Sequence, residues 1–308
     1  MAMNRFGLID VGSNTIKILI GQKDGSLSGK ILDQQSLPCR LLSMGTQDEP
    51  EISLDALNRL VVCVNELKER MKKWEVKQVR MVGTEALRKS KNSSWVIKEL
   101  LKSTGLLLEI ISGEEEAQAV ADGLRTDPIL KNWESFMALD IGGGSLEMIE
   151  CRKGKTIQST SLPLGAIALA KLSGVDLQKP LGIQNAEKLR SEISKSIKHE
   201  APKFHSSDLK LAGCGGTLVF LRLIIEETHQ NKGLPVLSRT EIDHYFEKTA
   251  AISLKERIAR FPKLPADRAD VFPFGLLGIS CAMQYLGQSQ ITHSFHNLRH
   301  GLIFNHPK

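Results

Sequence analysis

The feature that most constrains the fold is a strand–turn–strand pattern that occurs twice in the chain. The first copy covers residues 8–18 and the second covers residues 138–148. In each copy an apolar run ends in an aspartate (Asp10 or Asp140), small residues follow, and a second apolar run returns. The small residues are Gly12, Ser13, Asn14 and Thr15 in the first copy, and Gly142, Gly143, Gly144 and Ser145 in the second. A repeat with this long spacing predicts a duplicated domain rather than a solenoid.

These glycine-containing turns join two strands, unlike P-loop and Rossmann turns, where the phosphate meets a helix N-terminus. Small residues let backbone N–H groups approach a ligand and form a nest for a phosphate. Asp10 and Asp140 could hold a divalent cation that bridges to that phosphate. One Asp-x-Gly turn alone is typical of ordinary turn chemistry. Two copies in register instead favour two hairpins that face each other across a cleft and bind a phosphate chain.

A third small-residue turn, residues 213–217, runs from a predicted strand into a predicted helix. N–H groups at a helix N-terminus bind anions. By itself the pattern is typical of a tight strand–helix connection. Beside the other two turns, it predicts a third phosphate contact through Gly215, Gly216 and Thr217.

Phosphoryl transfer to water needs donors for the charged oxygens, a metal and a positioned water. The carboxylates that could orient this water are Glu114, Glu115, Glu116 and Glu147. The first three lie in the first turn of a predicted helix, where acidic residues also suit the positive helix end. Arg88 follows a predicted strand and could bind phosphate oxygens in a forked manner, or be an ordinary surface cation. Spacing alone does not choose between these alternatives.

Composition favours a small anionic ligand over several other partners. The net charge is +6 and the pI is about 9.0, which is consistent with an anionic substrate. Aromatic residues are only 5% of the chain, which argues against binding single-stranded nucleic acid by base stacking. Five cysteines without a Cys-x-x-Cys pair indicate reduced thiols in a cytoplasm. Because no apolar stretch is long enough to span a bilayer, we expect no membrane partner.

Strands and helices recur in both halves of the chain, which predicts α/β domains with mixed sheets. We place domain I at residues 1–125 and domain II at residues 126–292, and we expect residues 293–308 to return to domain I. Ser53 is predicted to cap a helix, Ser253 and Glu256 to form a capping box, and Pro273 to open another helix. His293, His296 and His300 have a spacing compatible with a metal, although such histidines are more often ordinary polar residues.

Eight motifs run along the chain in the order of a known family: residues 9–14, 84–88, 111–117, 139–145, 161–166, 213–217, 268–271 and 297–301. Through them the chain resembles the exopolyphosphatase and guanosine pentaphosphate phosphohydrolase family. This resemblance implies the actin-like ATPase (ribonuclease H-like) fold, with duplicated domains and a cleft. It also implies a phosphohydrolase acting on polyphosphate or on a phosphorylated guanine nucleotide. A homodimer is compatible with it.

The resemblance also implies roles for individual residues. Glu116 matches the family glutamate that orients the attacking water, and Arg88 matches an arginine that meets the substrate phosphates. Metal and phosphate positions of the family are matched by Asp140, Gly142, Ser145 and Glu147. With Asp10 as a further ligand, hard oxygen atoms favour Mg²⁺, with Mn²⁺ as the alternative.

The sequence departs from the family pattern at two places and leaves two other functions open. Lys17 ends a segment that differs from the usual family motif, and His300 stands where many members have glutamate. We also expect a short form, since longer members carry an additional helical domain. A binding protein that senses polyphosphate or a nucleotide with little turnover is one alternative. An actin-like ATPase or sugar kinase is the other.

Overall fold

The computed structural model describes residues 5–22, 29–41, 50–204, 208–229 and 235–304 of the 308-residue chain. The chain packs into two compact units. Unit 1 runs to Lys131 and resumes at His296, and unit 2 is Asn132–Phe295. These limits lie a few residues from the boundaries proposed from the sequence.

The described part of unit 1 contains a five-stranded mixed sheet with the order β3-β2-β1-β4-β5. Its strands are β1 (Arg5–Val11), β2 (Thr15–Gln22), β3 (Lys30–Pro38), β4 (Gln78–Gly83) and β5 (Leu108–Ile110). The helices that join them are α1 (Leu54–Lys73), α2 (Glu85–Lys89), α3 (Ser93–Thr104) and α4 (Gly113–Arg125). β1 is antiparallel to β2 and parallel to β4.

The described part of unit 2 contains a six-stranded mixed sheet with the order β10-β11-β9-β6-β7-β8. Its strands are β6 (Phe136–Ile141), β7 (Leu146–Arg152), β8 (Lys155–Leu162), β9 (Leu211–Cys214), β10 (Val236–Ser238) and β11 (Gln290–His293). Its helices are α5 (Ala166–Ser173), α6 (Ile183–Glu200), α7 (Gly216–His229), α8 (Arg239–Ala250), α9 (Leu254–Arg260), α10 (Ala266–Ala269) and α11 (Phe272–Tyr285).

Both sheets are built around the predicted hairpins. Neighbouring strands follow the order β3-β2-β1-β4 in unit 1 and the order β8-β7-β6-β9 in unit 2. β1 is antiparallel to β2 and parallel to β4, and in the same way β6 is antiparallel to β7 and parallel to β9. The predicted duplication is confirmed. Because the carboxyl ends of parallel neighbours lie at one edge of a sheet, the turns after β1 and β4 are close together, as are those after β6 and β9.

Local signals placed several helices correctly. The Ser53 side chain accepts the Ala56 N–H and caps α1, as predicted. Ser253 and Glu256 form the predicted capping box of α9. Pro273 lies in the first turn of α11, and residues 272–283 of this helix are all buried, which makes it the centre of the unit 2 core. No helix in the described ranges is long and apolar enough to cross a membrane.

The C-terminal helix α12 (Leu298–Phe304) packs against α4 with the two backbones in contact. A Cβ on Gly123 of α4 would overlap the carbonyl of Asn297, and a Cβ on Gly301 would overlap the α4 backbone in turn. Arg299, which is 8% exposed, donates to a β2 carbonyl at 3.2 Å. The C-terminal helix is therefore part of unit 1.

His300 has a capping role that explains how it can replace glutamate. Asn297 precedes α12, and its side-chain oxygen accepts the Arg299 N–H at 3.2 Å. In return, Nδ1 of His300 accepts the Asn297 backbone N–H at 3.1 Å. A glutamate three residues after a helix cap accepts this same bond in a capping box. The imidazole can do so only while its Nδ1 carries no proton.

Burial keeps this ring neutral. His300 is 2% exposed and stacks on His296 with the ring centroids 4.1 Å apart. Burial lowers the pKa of His300 to about 2, with further lowering by the charges of His296 and Arg299. Burial also lowers the pKa of His296, although Asp127 opposes it.

We predict that the folded protein loses stability as the pH falls below about 6.5, the ordinary pKa of histidine. A histidine pKa that is lowered on folding contributes its full stability above the unfolded value, and this contribution is lost as the pH falls towards the folded value. For His300 the loss should be on the order of 1 kcal/mol between about pH 7 and about pH 5.5. Melting temperatures of the wild type and His300→Gln across this range test it, since glutamine keeps an acceptor but does not titrate. The variant should show the shallower decline, and equal declines would contradict the assignment.

Candidate active site

In unit 2 the turn after β6 is held in place by hydrogen bonds to its carbonyl groups. The Gly142 N–H donates to the Ser145 carbonyl at 2.9 Å and closes the turn. The carbonyls of Gly142, Gly143 and Gly144 accept N–H groups from the N-cap and first turn of α5, at 3.0, 2.8 and 3.1 Å. The N–H groups of Gly143 and Gly144 donate to no group in the described part of the chain. All three glycines are at least partly exposed, so the turn presents donors that an anion can reach.

Gly165, the N-cap of α5, is the residue against which this turn packs. Its N–H donates to the Gly144 carbonyl at 3.1 Å. A Cβ at this position would lie 2.6 Å from the carbonyl carbon of Gly143 and 2.5 Å from that of Gly144. Both distances are well inside van der Waals contact, so only glycine fits without moving the turn.

Two acidic side chains flank the turn at directly opposite strand positions. Asp140 on β6 is paired with Glu147 on β7, so both side chains lie on the same face of the sheet. Glu147 is 4% exposed and accepts the hydroxyl of Ser161 at 3.0 Å, and Asp140 is half-buried. Like charges directly opposite each other are destabilising. A nearby cation would remove this repulsion, and carboxylate oxygens suit Mg²⁺ or Mn²⁺.

This pair fits a metal that also contacts substrate. No group of three or more His, Cys, Asp or Glu side chains that could hold a metal is found among the described residues. Mg²⁺ usually keeps several waters and takes one or two protein carboxylates together with substrate phosphates. Of the histidines considered as ligands, His296 and His300 stack on each other in unit 1. In unit 2, His293 packs edge-on against Phe295.

The third predicted turn, residues 213–217, lies beside the turn after β6 in unit 2. β6 and β9 are parallel, with Asp140 aligned to Cys214. Gly215 has a φ of 103°, and a Cβ there would lie 2.8 Å from Oδ1 of Asp140, so glycine is required at this position. Helix α7 begins at Gly216, and Thr217 is in its first turn. The first N–H groups of a helix have no partner within it, so they add anion donors at this edge of the sheet.

The turn after β1 in unit 1 is closed and braced in the same way. The Gly12 N–H donates to the Thr15 carbonyl at 3.0 Å. The carbonyls of Ser13 and Asn14 accept backbone N–H groups from residues 39–41, at 2.9 to 3.0 Å. Asn14 is 3% exposed, and neither polar atom of its side chain has a hydrogen-bond partner among the described residues. Leaving a buried polar group unpaired costs about 1–3 kcal/mol, so these atoms indicate the position of a ligand or of water.

Helix α4 gives its first acidic residues different environments. The Ser112 hydroxyl accepts the Glu115 N–H at 3.1 Å, and the Ser112 N–H donates to the Glu115 carboxylate at 2.8 Å. Glu115 thus completes a capping box and is exposed, as is Glu114. Glu116 is 9% exposed and lies on the buried side of the helix. The structure therefore gives a physical reason to separate Glu116 from its neighbours.

Glu116 is paired with the other predicted residue of this region. Nη1 of Arg88 donates to Oε2 of Glu116 at 2.7 Å and to the Ile111 carbonyl at 2.9 Å. Counting side-chain atoms alone, Arg88 is 21% exposed and Glu116 is 12% exposed. Arg88 comes from helix α2, which follows β4, and Glu116 comes from the start of α4, which follows β5. Two segments far apart in the sequence thus meet at one edge of the sheet.

Two charged residues of unit 1 at this edge were not predicted as site residues. Lys17 on β2 is directly opposite Asp10, with its Nζ 3.8 Å from Oδ2 of Asp10. The sequence held a signal for Lys17, because it aligns with Glu147 in the second repeat. Glu85 is 7% exposed and accepts Lys89 at 2.6 Å through Oε1, whereas its Oε2 is buried without a partner among the described residues. Glu85 lies within the motif of residues 84–88, but the sequence analysis assigned it no role.

The predicted residues thus form two groups, each within one unit. Unit 1 holds Asp10, Gly12, Ser13, Asn14, Thr15, Arg88 and Glu116. Unit 2 holds Asp140, Gly142, Gly143, Gly144, Ser145, Glu147, Gly215, Gly216 and Thr217. Each group combines backbone donors for an anion with at least one carboxylate. Phosphoryl transfer to water, the reaction of the phosphohydrolase class, needs both kinds of group.

Comparison with known proteins agrees with this class. A sequence model of the Ppx/GppA phosphatase family matches residues 21–307. The Ppx/GppA phosphatase of Aquifex aeolicus (type II variant) is 24% identical, with a TM-score of 0.73 over 98% of this chain and 99% of that chain. An exopolyphosphatase from Cytophaga hutchinsonii is 22% identical, with a TM-score of 0.86 over 98% of this chain and 97% of that chain. The chain belongs to the Ppx/GppA phosphatase family. Its duplicated mixed sheets have the fold of these solved structures.

The bracing of the unit 2 turn gives a prediction for Gly165→Ala. The new Cβ must displace residues 143 and 144, so phosphate release should fall by at least about tenfold. Overpacking of this kind should also cost about 1–3 kcal/mol of stability. Gly113→Ala is the control for stability, since a Cβ there meets no heavy atom within 4 Å. If Gly165→Ala keeps the melting temperature and turnover of the wild type, the conformation of the turn does not depend on this residue.

Proposed function

We propose that the protein is a metal-assisted phosphohydrolase that releases the terminal phosphate of inorganic polyphosphate, of guanosine pentaphosphate, or of both. The observation that carries the proposal is the buried carboxylate of Glu116, held by Arg88 at 2.7 Å. A protein that only binds an anion gains nothing from a buried negative charge at its site. Attack by water, in contrast, needs a carboxylate that orients the water and accepts its proton.

Arg88 can serve both Glu116 and the substrate. Its two bonds to protein both use Nη1. A guanidinium carries five N–H donors and stays charged at any physiological pH. Arg88 therefore holds Glu116 in place through one nitrogen and has further donors for a phosphate oxygen. We therefore propose for Arg88 both the phosphate contact expected from the sequence and a positioning role toward Glu116.

Backbone amides would bind the remaining phosphate oxygens. In unit 1 these would be the amides of the turn after β1, with the hydroxyls of Ser13 and Thr15 and the side-chain amide of Asn14. In unit 2 they would be the amides of the turns after β6 and β9, with the hydroxyls of Ser145 and Thr217. Because these groups are fixed by the fold, they do not have to reorganise when charge shifts in the transition state. Asp140 and Glu147 in unit 2 would hold Mg²⁺ or Mn²⁺, which supplies positive charge to the phosphate oxygens. In unit 1, Asp10 is the candidate metal ligand.

Two observations support a phosphoanhydride substrate. The matching model is that of the Ppx/GppA phosphatase family, and a structural relative is described as an exopolyphosphatase. The net charge of +6 favours the approach of a polyanion. Polyphosphate and guanosine pentaphosphate both end in a phosphoanhydride, so one set of turns would serve either. A sensor with little turnover and an actin-like ATPase remain the competing functions.

The test is phosphate release with Mg²⁺ from medium-chain polyphosphate, guanosine pentaphosphate and ATP. We expect release from one or both of the first two substrates, and a loss of about a hundredfold or more in Glu116→Gln. Glu115→Gln is the matched control, because glutamine still accepts the Ser112 N–H in the capping box. It should retain wild-type turnover.

Other outcomes would favour other functions. Tight binding of a phosphate compound without turnover of any of the three would support the sensor. Preferred hydrolysis of ATP would support the ATPase. Equal losses in Glu115→Gln and Glu116→Gln would remove the special role assigned to Glu116.

A further inference from the structure

Unit 1 contains two cysteines, and their thiols are in contact. Of the five cysteines in the chain, only Cys39 and Cys63 lie in unit 1. Cys39 follows β3, and Cys63 lies in the middle of α1. Their thiol groups are hydrogen-bonded to each other. Sγ of Cys63 also lies 3.7 Å from the carbonyl oxygen of Pro38, the residue before Cys39. Two segments far apart in the sequence thus place a pair of thiols side by side in the core of unit 1.

Cys39 belongs to the segment that holds the turn after β1. The N–H groups of Cys39 and Arg40 donate to the carbonyl of Asn14, at 2.9 and 3.0 Å. Helix α1 holds the same segment, because the guanidinium of Arg59 donates to the carbonyls of residues 39 and 40, at 3.1 and 3.0 Å. Cys63 lies one turn further along α1 than Arg59. A change in how Cys39 packs against α1 therefore reaches the turn.

This segment contains a strained residue directly after Cys39. Arg40 has a φ of 44°, in the left-handed region that residues with a side chain rarely adopt. Such a conformation persists only where the surrounding contacts enforce it. When the hydrogen bonds of the segment break, Arg40 can return to a common backbone conformation. The strain therefore favours local opening of the chain at Cys39.

Burial determines when these thiols can react. Cys39 is 2% exposed and Cys63 is 8% exposed. Burial raises the pKa of the Cys39 thiol to about 12, and it also raises the pKa of Cys63. Because the thiolate is the reacting form, the closed structure protects both thiols from oxidation at neutral pH. Reaction therefore requires local opening, and an oxidant reaches Cys63, the more exposed thiol, first.

We propose that Cys39 and Cys63 are a reversible modification site, which a small-molecule disulfide oxidises to a disulfide bond within unit 1. The Cys63 thiolate attacks one sulfur atom of the oxidant, forms a mixed disulfide and releases one thiol. The Cys39 thiolate then attacks Sγ of Cys63, closes the protein disulfide and releases the second thiol. The two thiol protons of the protein are transferred to the two released thiols. The protein thus loses two electrons, which the oxidant gains.

The disulfide would act on the catalytic edge of unit 1 through residues 39–41. A disulfide bond is much shorter than the contact between two thiols, so its closure pulls this segment toward α1. The turn after β1 follows, because its carbonyls are bonded to the segment. Since small displacements are costly in a preorganised site, oxidation should lower phosphate release by at least about tenfold. An excess of a dithiol should restore it. Only this effect on activity rests on the proposed function.

The site is tested by treating the full chain with glutathione disulfide and mapping its peptides by mass spectrometry without reduction. The wild type should form the disulfide between Cys39 and Cys63. In Cys39→Ser the second thiol is missing, so Cys63 should keep glutathione as a mixed disulfide. In Cys63→Ser, Cys39 should stay unmodified. Melting temperatures confirm that the variants are folded.

The matched control is Cys151→Ser, which removes a buried thiol of unit 2. Sγ of Cys151 lies 3.8 Å from the hydroxyl of Thr156, so a serine there also has a partner. This variant should form the same disulfide as the wild type. Wild type unfolded in denaturant shows that the oxidant is sufficient. Free thiols at both positions of the folded wild type, under conditions that oxidise the unfolded chain, would overturn the proposal. Glutathione that stays on Cys63 of the wild type, or a disulfide to a unit 2 cysteine, would also overturn it.

Phosphate release measured on the same samples separates the inference from the proposed function. The oxidant should inhibit the wild type and Cys151→Ser but leave the activity of Cys63→Ser unchanged. If the disulfide forms but the wild type hydrolyses no phosphoanhydride, the proposed function fails and the modification site stands. If the wild type is active and both thiols stay free, the modification site fails alone. Full activity of the disulfide form would overturn the coupling between the site and the turn.

Discussion

Everything at the candidate site depends on how the turn after the first strand of each unit is held. In both units its carbonyl oxygens accept backbone N–H groups from a later segment, residues 39–41 in unit 1 and the start of α5 in unit 2. A carbonyl is the repulsive end of a peptide group for an anion. Hydrogen bonds to these carbonyls fix the turn and leave N–H groups of the turn available as donors. Such preorganised donors stabilise developing charge without a cost of reorganisation.

Near these turns, acidic residues in similar sequence contexts have different roles because the residues that contact them differ. Glu115 is bound by the N–H of Ser112 and stabilises a helix end, whereas Glu116, the next residue, is buried against Arg88. Asp10 and Asp140 occupy matching positions in the repeat, but one faces an ammonium and the other a carboxylate. The two repeats therefore share one backbone arrangement, but different side chains at matching positions give them different chemistry. The partner of each carboxylate, rather than the carboxylate itself, decides its role.

The sequence predicted those parts of the structure that depend on residues close together in the chain. The hairpins followed from short apolar runs and small turn residues. The cap at Ser53 followed from a serine that precedes an apolar helical stripe, and the capping box at Ser253 followed from the glutamate three residues later. The pairing of Arg88 with Glu116 could not be predicted from spacing, because it joins segments that follow different strands. Nor could the burial of Asn14 or the capping bond of His300, since each depends on packing against distant segments. Pairing register, which aligns Lys17 with Asp10, is likewise a property of the folded sheet.

In the proposed reaction, a water oriented by Glu116 attacks the terminal phosphorus of a phosphoanhydride chain. The most direct measurement is the mass of the phosphate released from medium-chain polyphosphate with Mg²⁺ in water enriched in oxygen-18. We expect single phosphate groups, each carrying one oxygen atom from the solvent. Release of longer fragments, or of phosphate without solvent oxygen, would contradict terminal attack by water.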